Sequence, residues 1–144
     1  MSARGEGGEA KDVLLFMCVA NSSRSQMAEA LARTMAPPGL EVWSAGSEPT
    51  GVSPFAVEAM AEQGIDLGHA FTKTVDDVPR DRVRTVIMLC AEEVCPVFPG
   101  DVEKLHWPFE DPAAATGSDE DRLASFRRVR DQIHERLQRH FSER

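Results

Sequence analysis

Cys18-Val19-Ala20-Asn21-Ser22-Ser23-Arg24-Ser25 places a thiol and a guanidinium at the two ends of a short run of small and polar residues. Folded as a loop between a strand and a helix, the run would turn its backbone N–H groups and the helix N-terminus toward one point. That makes a cradle favouring both an oxyanion and a thiolate. Arg24 closes the ring with a planar fork of donors matched to two oxygens of a tetrahedral anion, a task lysine performs less well. Asn21 tolerates a left-handed backbone, Ser25 carries a hydroxyl able to hydrogen-bond the sulfur, and Val19, Ala20, Ser22 and Ser23 supply the remaining amides. The plainer alternative makes Cys18 a small buried hydrophobe at a strand end. It leaves the position of Arg24 to chance.

Cys90 and Cys95 complete a set of three cysteines. The N-terminal stretch lacks an apolar block behind a basic start, so no secretory signal is read there, and the thiols are expected to serve redox or catalytic chemistry rather than a structural disulfide framework. A buried, inert Cys90 with an incidental Cys95 is the alternative. Zinc would need more than one Cys-x4-Cys pair with His69 or His106, so no metal is expected. Asp111-Pro112 reads either as a turn aspartate or as an acid poised beside a bound anion.

These groups need elements to hold them. Val13 to Met17 is a continuous apolar run, suited to a strand buried on both faces of a parallel sheet, with Cys18 at its C-terminal end. Met27, Ala28, Leu31, Ala32 and Met35 recur at helical spacing until Pro37-Pro38-Gly39. Glu41 to Ala45 is a second strand closed by Gly46. Ser53 caps a helix with Pro54 at its first position, Val57, Met60 and Ala61 facing inward and Gly64 ending it. Val83 to Leu89 and Lys104 to Phe109 give the third and fourth strands. Leu123, Phe126, Val129, Ile133, Leu137 and Phe141 mark a long amphipathic helix behind the acidic start Ser118 to Asp121. Loop-rich sequence is expected only from Asp111 to Gly117. The alternation predicts an α/β three-layer sandwich, a central four-stranded parallel sheet flanked by helices on both faces, with ligands beyond the C-terminal strand ends. Cys18 falls at such a place.

A chain of 144 residues fits one domain, expected over residues 12–144 behind a flexible tail of residues 1–11. A net charge of −8 argues against nucleic acid or an anionic membrane surface as partner, and no apolar run is long enough to span a bilayer. A cytoplasmic monomer is expected. Any attraction for an anionic substrate must be local.

The loop resembles the signature of the low-molecular-weight tyrosine phosphatase family, and its continuation Ser25-Gln26-Met27-Ala28-Glu29 is similar to the arsenate reductase branch, Gln26 standing where the phosphatases typically have proline. Ser44-Ala45-Gly46-Ser47, Gly64-Ile65-Asp66, His106-Trp107 and Asp111-Pro112 extend the resemblance from about Val13 to Leu137. It implies a three-cysteine cascade. Cys18 attacks arsenate, Cys90 attacks Cys18 and releases arsenite, and Cys95 attacks Cys90 to leave a Cys90–Cys95 disulfide for thioredoxin, with Asp111 as general acid and no cofactor. The expected role is arsenic detoxification, with residual phosphatase activity. Five positions separate Cys90 from Cys95, fewer than the resemblance leads one to expect. In an intact helix that is a rise of roughly 7.5 Å, too long for a disulfide, so Ala91 to Val94 is expected to change conformation on oxidation. The family's monovalent-cation site would involve Asn21, Glu29 and Ser44. Phe71 and Lys73 stand where polar or acidic side chains would help it, and Lys73 can supply the charge instead. His106-Trp107 reads as packing, with the indole under the loop and the imidazole as a hydrogen-bond partner.

Three other functions remain. A tyrosine phosphatase would use Cys18, Arg24 and Asp111 but leave Cys90 and Cys95 without a role, and the chain has no tyrosine to line a substrate mouth. A non-catalytic oxyanion or redox sensor would use the same cradle without turnover. An arsenate reductase working through a small thiol such as mycothiol would need no internal relay pair.

Overall fold

The computed structural model describes residues 11–91 and 98–142. All but the last residue of the expected tail, and Cys95 with most of the segment expected to rearrange, lie outside the described residues. The chain runs β1 (Asp12–Cys18), α1 (Arg24–Arg33), β2 (Leu40–Gly46), α2 (Pro54–Ala61), β3 (Val83–Met88), β4 (Glu103–His106) and α3 (Asp119–Ser142). The strands form a parallel sheet in the order β2-β1-β3-β4.

Strict alternation along β1 divides the interior. Leu14 and Phe16 point into a core shared with Met27 and Leu31 of α1, Ala59 and Met60 of α2, and Phe126, Val129 and Ile133 of α3. Val13, Leu15 and Met17 point the other way, against Val78, Val86 and Phe98. The four-stranded parallel sheet flanked by helices is as the sequence predicts. Among the described residues, however, the second face is covered by Val75, Val78 and Phe98 from irregular chain, and the α-helices all pack on the first.

Local signals set most element ends. Ser53 accepts from Phe55 N at 3.3 Å with Pro54 at the first helical position, as its sequence predicts. Ser118 Oγ accepts from Asp121 N at 3.1 Å while Asp121 Oδ2 accepts from Ser118 N at 3.2 Å, a reciprocal cap that starts α3. Three expectations need correction. In α2 the buried residues are Ala56, Ala59 and Met60, with Val57 half-buried and Ala61 exposed, because a helix of two turns meets the core along a narrower stripe. β4 stops at His106, although Trp107 N and Phe109 N still donate to the Met88 and Leu89 carbonyls at 2.9 and 3.2 Å, because two residues of this segment then advance against one of the neighbouring chain and the regular register is lost. Residues 62–82, without periodic apolar positions, run as irregular chain with 3₁₀ turns at Val75–Asp77 and Arg80–Arg82. Among the described residues, no helix is long and apolar enough to cross a membrane.

Glu62, just past α2, ties that helix to α3. Arg127 Nη2 donates to it at 2.7 Å, and Arg130 Nη1 donates to it at 2.9 Å and to the Ala59 carbonyl at 2.8 Å. Hydrogen bonds from Arg127, then Arg130, hold the Glu62 carboxyl below its ordinary value of 4.5. A lowered carboxyl stabilises the fold fully above its unfolded value and loses that contribution as pH falls through the folded one. Glu62→Gln should therefore be less stable than wild type to urea at neutral pH, and the gap should shrink as pH falls below 4.5 and close once it passes through the lowered folded value. A gap that stays constant into acid would show that the Glu62 charge does not couple the helices.

Candidate active site

β1 delivers Cys18, 2% exposed, to the C-terminal edge of the sheet, and residues 19–23 wrap beyond it before Arg24 opens α1. Asn21 has φ of +51°, the left-handed conformation anticipated for it. The loop is pinned from outside: the Val19, Ala20 and Ser22 carbonyls accept from Glu48 N, Thr50 N and Ser53 N at 2.9, 3.2 and 2.9 Å. In a trans peptide the carbonyl and the next N–H point oppositely, so fixing these carbonyls outward turns the following amides toward the pocket. Gly46 lets the loop lie this close. A Cβ there would stand 2.5 Å from Val19 O and 2.9 Å from both Asn21 N and Cys18 O.

Cys18 has a wired environment. Asn21 Nδ2 donates to Ser25 Oγ at 2.7 Å, leaving the Ser25 proton for Cys18 Sγ, which is 2.9 Å away. Asn21 Oδ1 accepts from Gln26 Nε2 at 3.0 Å and from Lys73 N at 2.8 Å. Arg24, 3% exposed, donates through Nη1 to the Phe109 carbonyl at 3.0 Å and the Leu89 carbonyl at 3.4 Å, and its Nη2 lies 3.8 Å from Asp111 Oδ2. Asp111 is both a turn residue and a site residue: its Oδ1 accepts from Ala113 N at 2.9 Å, while its side chain stays 41% exposed at the pocket.

The pocket has a volume of 260 Å³ and is lined by Cys18, Val19, Ala20, Ser22, Ser23, Arg24 and Asp111. Asn21 and Ser25 lie fully buried beside it. A larger hollow of 470 Å³, bordered by Glu29, Arg33, His69, Phe71 and Lys73 among others, includes none of the oxyanion-loop residues, Asp111 or the described cysteines. Cys90 is completely buried and does not line the pocket. It follows β3, whose Met88 pairs with Met17 of β1, and Leu89 N donates to Met17 O at 2.9 Å. Its carbonyl faces His106 Nε2 at 2.6 Å, in line with the partner role read for that imidazole. Trp107 departs from expectation. Its ring packs on α3, 5.4 Å from the His140 ring and 5.0 Å from the Arg136 guanidinium.

Behind the loop, Glu29 is 3% exposed and accepts from Ser44 Oγ, Arg33 Nη2 and Lys73 Nζ at 2.5, 2.5 and 3.4 Å. Lys73 is 4% exposed, and its ammonium also donates to the Phe71 carbonyl at 3.1 Å. These residues do not fit a separate monovalent cation, because the lysine already neutralises the carboxylate at that place. Backbone acceptors such as Leu89 O and Phe109 O, and the loop's ties to residues 48–53, carry no sequence signal.

A family model described as low molecular weight phosphotyrosine protein phosphatase matches residues 13–143. Over 129 residues the chain is 45% identical to an arsenate reductase of Halalkalibacterium halodurans, covering 88% of this chain and 93% of that one. Its fold matches a crystal structure of arsenate reductase from Archaeoglobus fulgidus with a TM-score of 0.77 at 32% identity, over 90% of this chain and 98% of that one. It also matches a thioredoxin-dependent arsenate reductase of Corynebacterium glutamicum with a TM-score of 0.71 at 30% identity, over 97% of this chain and 65% of that one.

Removing one partner from a buried ion pair strands the other charge. Lys73→Met should lower unfolding free energy by about 3 kcal/mol, and the Lys73→Met/Glu29→Gln double variant should lose clearly less than the sum of the singles. Urea denaturation of the four proteins measures this, and strict additivity would mean that the pair is not coupled.

Proposed function

Because the chain belongs to the low-molecular-weight phosphotyrosine protein phosphatase family, we propose that this pocket reduces arsenate to arsenite through a relay of three thiols. The observation that supports this most is a buried second thiol, Cys90, two residues past the end of β3, the strand paired with the one that carries Cys18, and next to Leu89, whose carbonyl accepts from the pocket's Arg24. A phosphatase needs the pocket but has no use for the second thiol.

Arsenate enters with its oxygens toward the loop amides and the Arg24 fork. The Cys18 thiolate, supported by the Ser25 hydroxyl, attacks arsenic, and a proton from Asp111 allows one oxygen to leave as water. The Cys90 thiolate then attacks Cys18 sulfur. The sulfur–arsenic bond breaks with its electron pair going to arsenic, so As(V) becomes As(III) while two thiols become the Cys18–Cys90 disulfide. Cys95 attacks Cys90, Cys18 is released as thiolate, and the Cys90–Cys95 disulfide is reduced by an external dithiol. The Corynebacterium relative is thioredoxin-dependent, and thioredoxin is the reductant proposed here. A reducing cytoplasm, where such disulfides are transient, suits the cycle, and arsenic detoxification is its use.

The pocket lining favours the inorganic anion over an aryl phosphate. Among the described residues the lining contains no aromatic side chain, so an aryl group on the anion would find no ring there to stack on. Phosphate and arsenate have the same shape and charge, so slow phosphatase turnover is compatible with the reading.

Arsenite production with thioredoxin, thioredoxin reductase and NADPH should be readily measurable for wild type and should fall at least a hundredfold in Cys18→Ser, Cys90→Ser and Cys95→Ser. Full turnover in Cys90→Ser and Cys95→Ser would replace the relay by a small-thiol mechanism. Rapid aryl phosphate hydrolysis without arsenite would make the protein a phosphatase.

A further inference from the structure

The Ser22–Ser23 peptide forms part of the cradle wall, and its two polar groups are unequally matched. Among the described residues the Ser22 carbonyl has one partner, Ser53 N at 2.9 Å, while the Ser23 N–H has no protein acceptor although Ser23 is buried. A buried N–H without an acceptor is uncommon. Carbonyl and N–H point oppositely across a trans peptide, so a carbonyl drawn outward to Ser53 aims this N–H at the pocket that Ser22 and Ser23 line. Ser53 is itself held by α2. Its hydroxyl accepts from Phe55 N at 3.3 Å and its carbonyl from Val57 N at 3.1 Å, and α2 sinks Ala56, Ala59 and Met60 into the core.

The geometry points to Ser53 as a positioning residue for the oxyanion, acting through its backbone N–H on the Ser22–Ser23 peptide; this rests on the reading of the pocket as an oxyanion site. Left unpinned, that peptide can turn its carbonyl toward the anion, and a carbonyl oxygen repels a negative charge where an N–H attracts it. The bond from Ser53 settles the direction before the anion arrives, so binding does not have to turn the peptide. α2, remote from the chemistry, thereby aims one donor of the cradle. Cys18 is wired separately, through Ser25 Oγ at 2.9 Å. The Ser53 bond therefore acts on affinity for the anion and not on the thiolate.

Ser53→Ala is the reference for the test, because it keeps the N–H and lacks only the capping hydroxyl. Its ester counterpart carries an oxygen in place of that alanine N–H and is otherwise the same protein. Protection of Cys18 from iodoacetamide by inorganic phosphate, read from the mass of the Cys18 peptide, reports affinity for the anion. The ester protein should need about fivefold more phosphate than Ser53→Ala for half protection, the worth of one hydrogen bond. Without phosphate, Cys18 should be alkylated at the same rate in both. Ser53→Pro makes a second test by mutation alone: φ of −66° and ψ of 132° suit proline, which has no N–H, and it should need at least as much phosphate as the ester protein. Equal phosphate demand in Ser53→Ala and its ester, or alkylation that slows along with the loss of affinity, would overturn the assignment. If phosphate fails to protect Cys18 in wild type, the oxyanion reading falls and takes this assignment with it. Strong protection in wild type with equal demand in the two variants removes the assignment alone.

Discussion

The side-chain amide of Asn21 is the interaction on which the catalytic edge of the sheet depends. With φ of +51° it makes the turn that lets residues 19–23 encircle a point, and its amide then bonds in three directions. Its oxygen accepts from Gln26 of α1 and from the backbone of Lys73, and its nitrogen donates to the serine that faces Cys18. One fully buried side chain thus fixes the loop to the helix, to the 71–73 segment and, through Ser25, to Cys18. An aspartate would match the backbone conformation but could not donate to Ser25 while ionised. The Ser25 proton would then be drawn to the carboxylate instead of the sulfur.

The same edge resolves an electrostatic conflict in the chain as a whole. A protein with a net charge of −8 must bind an anion, so attraction has to be short-ranged and aimed. Arg24 and the loop amides face the pocket, and the nearest buried carboxylate, Glu29, is neutralised from behind by Lys73 and Arg33. Long-range repulsion between surface carboxylates and the substrate is screened over about 10 Å at ordinary ionic strength, whereas donors at contact distance are not. The lysine also makes Glu29 serve as an anchor for Ser44 on β2, so charge balance and loop support come from one cluster.

What the sequence revealed follows the range over which each signal acts. The first three strands, the cap at Ser53 and the Cys18-to-Arg24 loop are local patterns of burial or bonding, and they were legible within a residue or two, whereas β4 ends three residues before its expected end. The irregular path of residues 62–82 was not, because it is set by distant backbone pairings such as Gly46 N to Lys73 O. Trp107 was misplaced for a related reason: an indole at a strand end can turn to either side, and the choice fell to Arg136 and His140 more than twenty-five residues later. Lys73 was noticed only as a charge; its burial against Glu29 became visible with the fold.

In the proposed mechanism Arg24 has two tasks that compete, since a guanidinium that binds an oxyanion also attracts the carboxylic acid proposed to protonate it. The competition is settled by the carbonyls of Leu89 and Phe109. They take Nη1 and fix the guanidinium plane before any substrate arrives, so orientation is not left to an ion pair. Asp111 consequently stands 3.8 Å from Nη2, beyond hydrogen-bonding reach, and it is oriented instead by the Ala113 amide. An Asp111 locked to Arg24 in a bidentate pair would close the pocket and hold its charge. Kept apart by backbone geometry, Asp111 remains at the mouth with a side chain still open to solvent. The carbonyl acceptors that preserve this separation sit at the ends of β3 and beyond β4, so the parallel sheet itself sets the distance between the anion clamp and its acid.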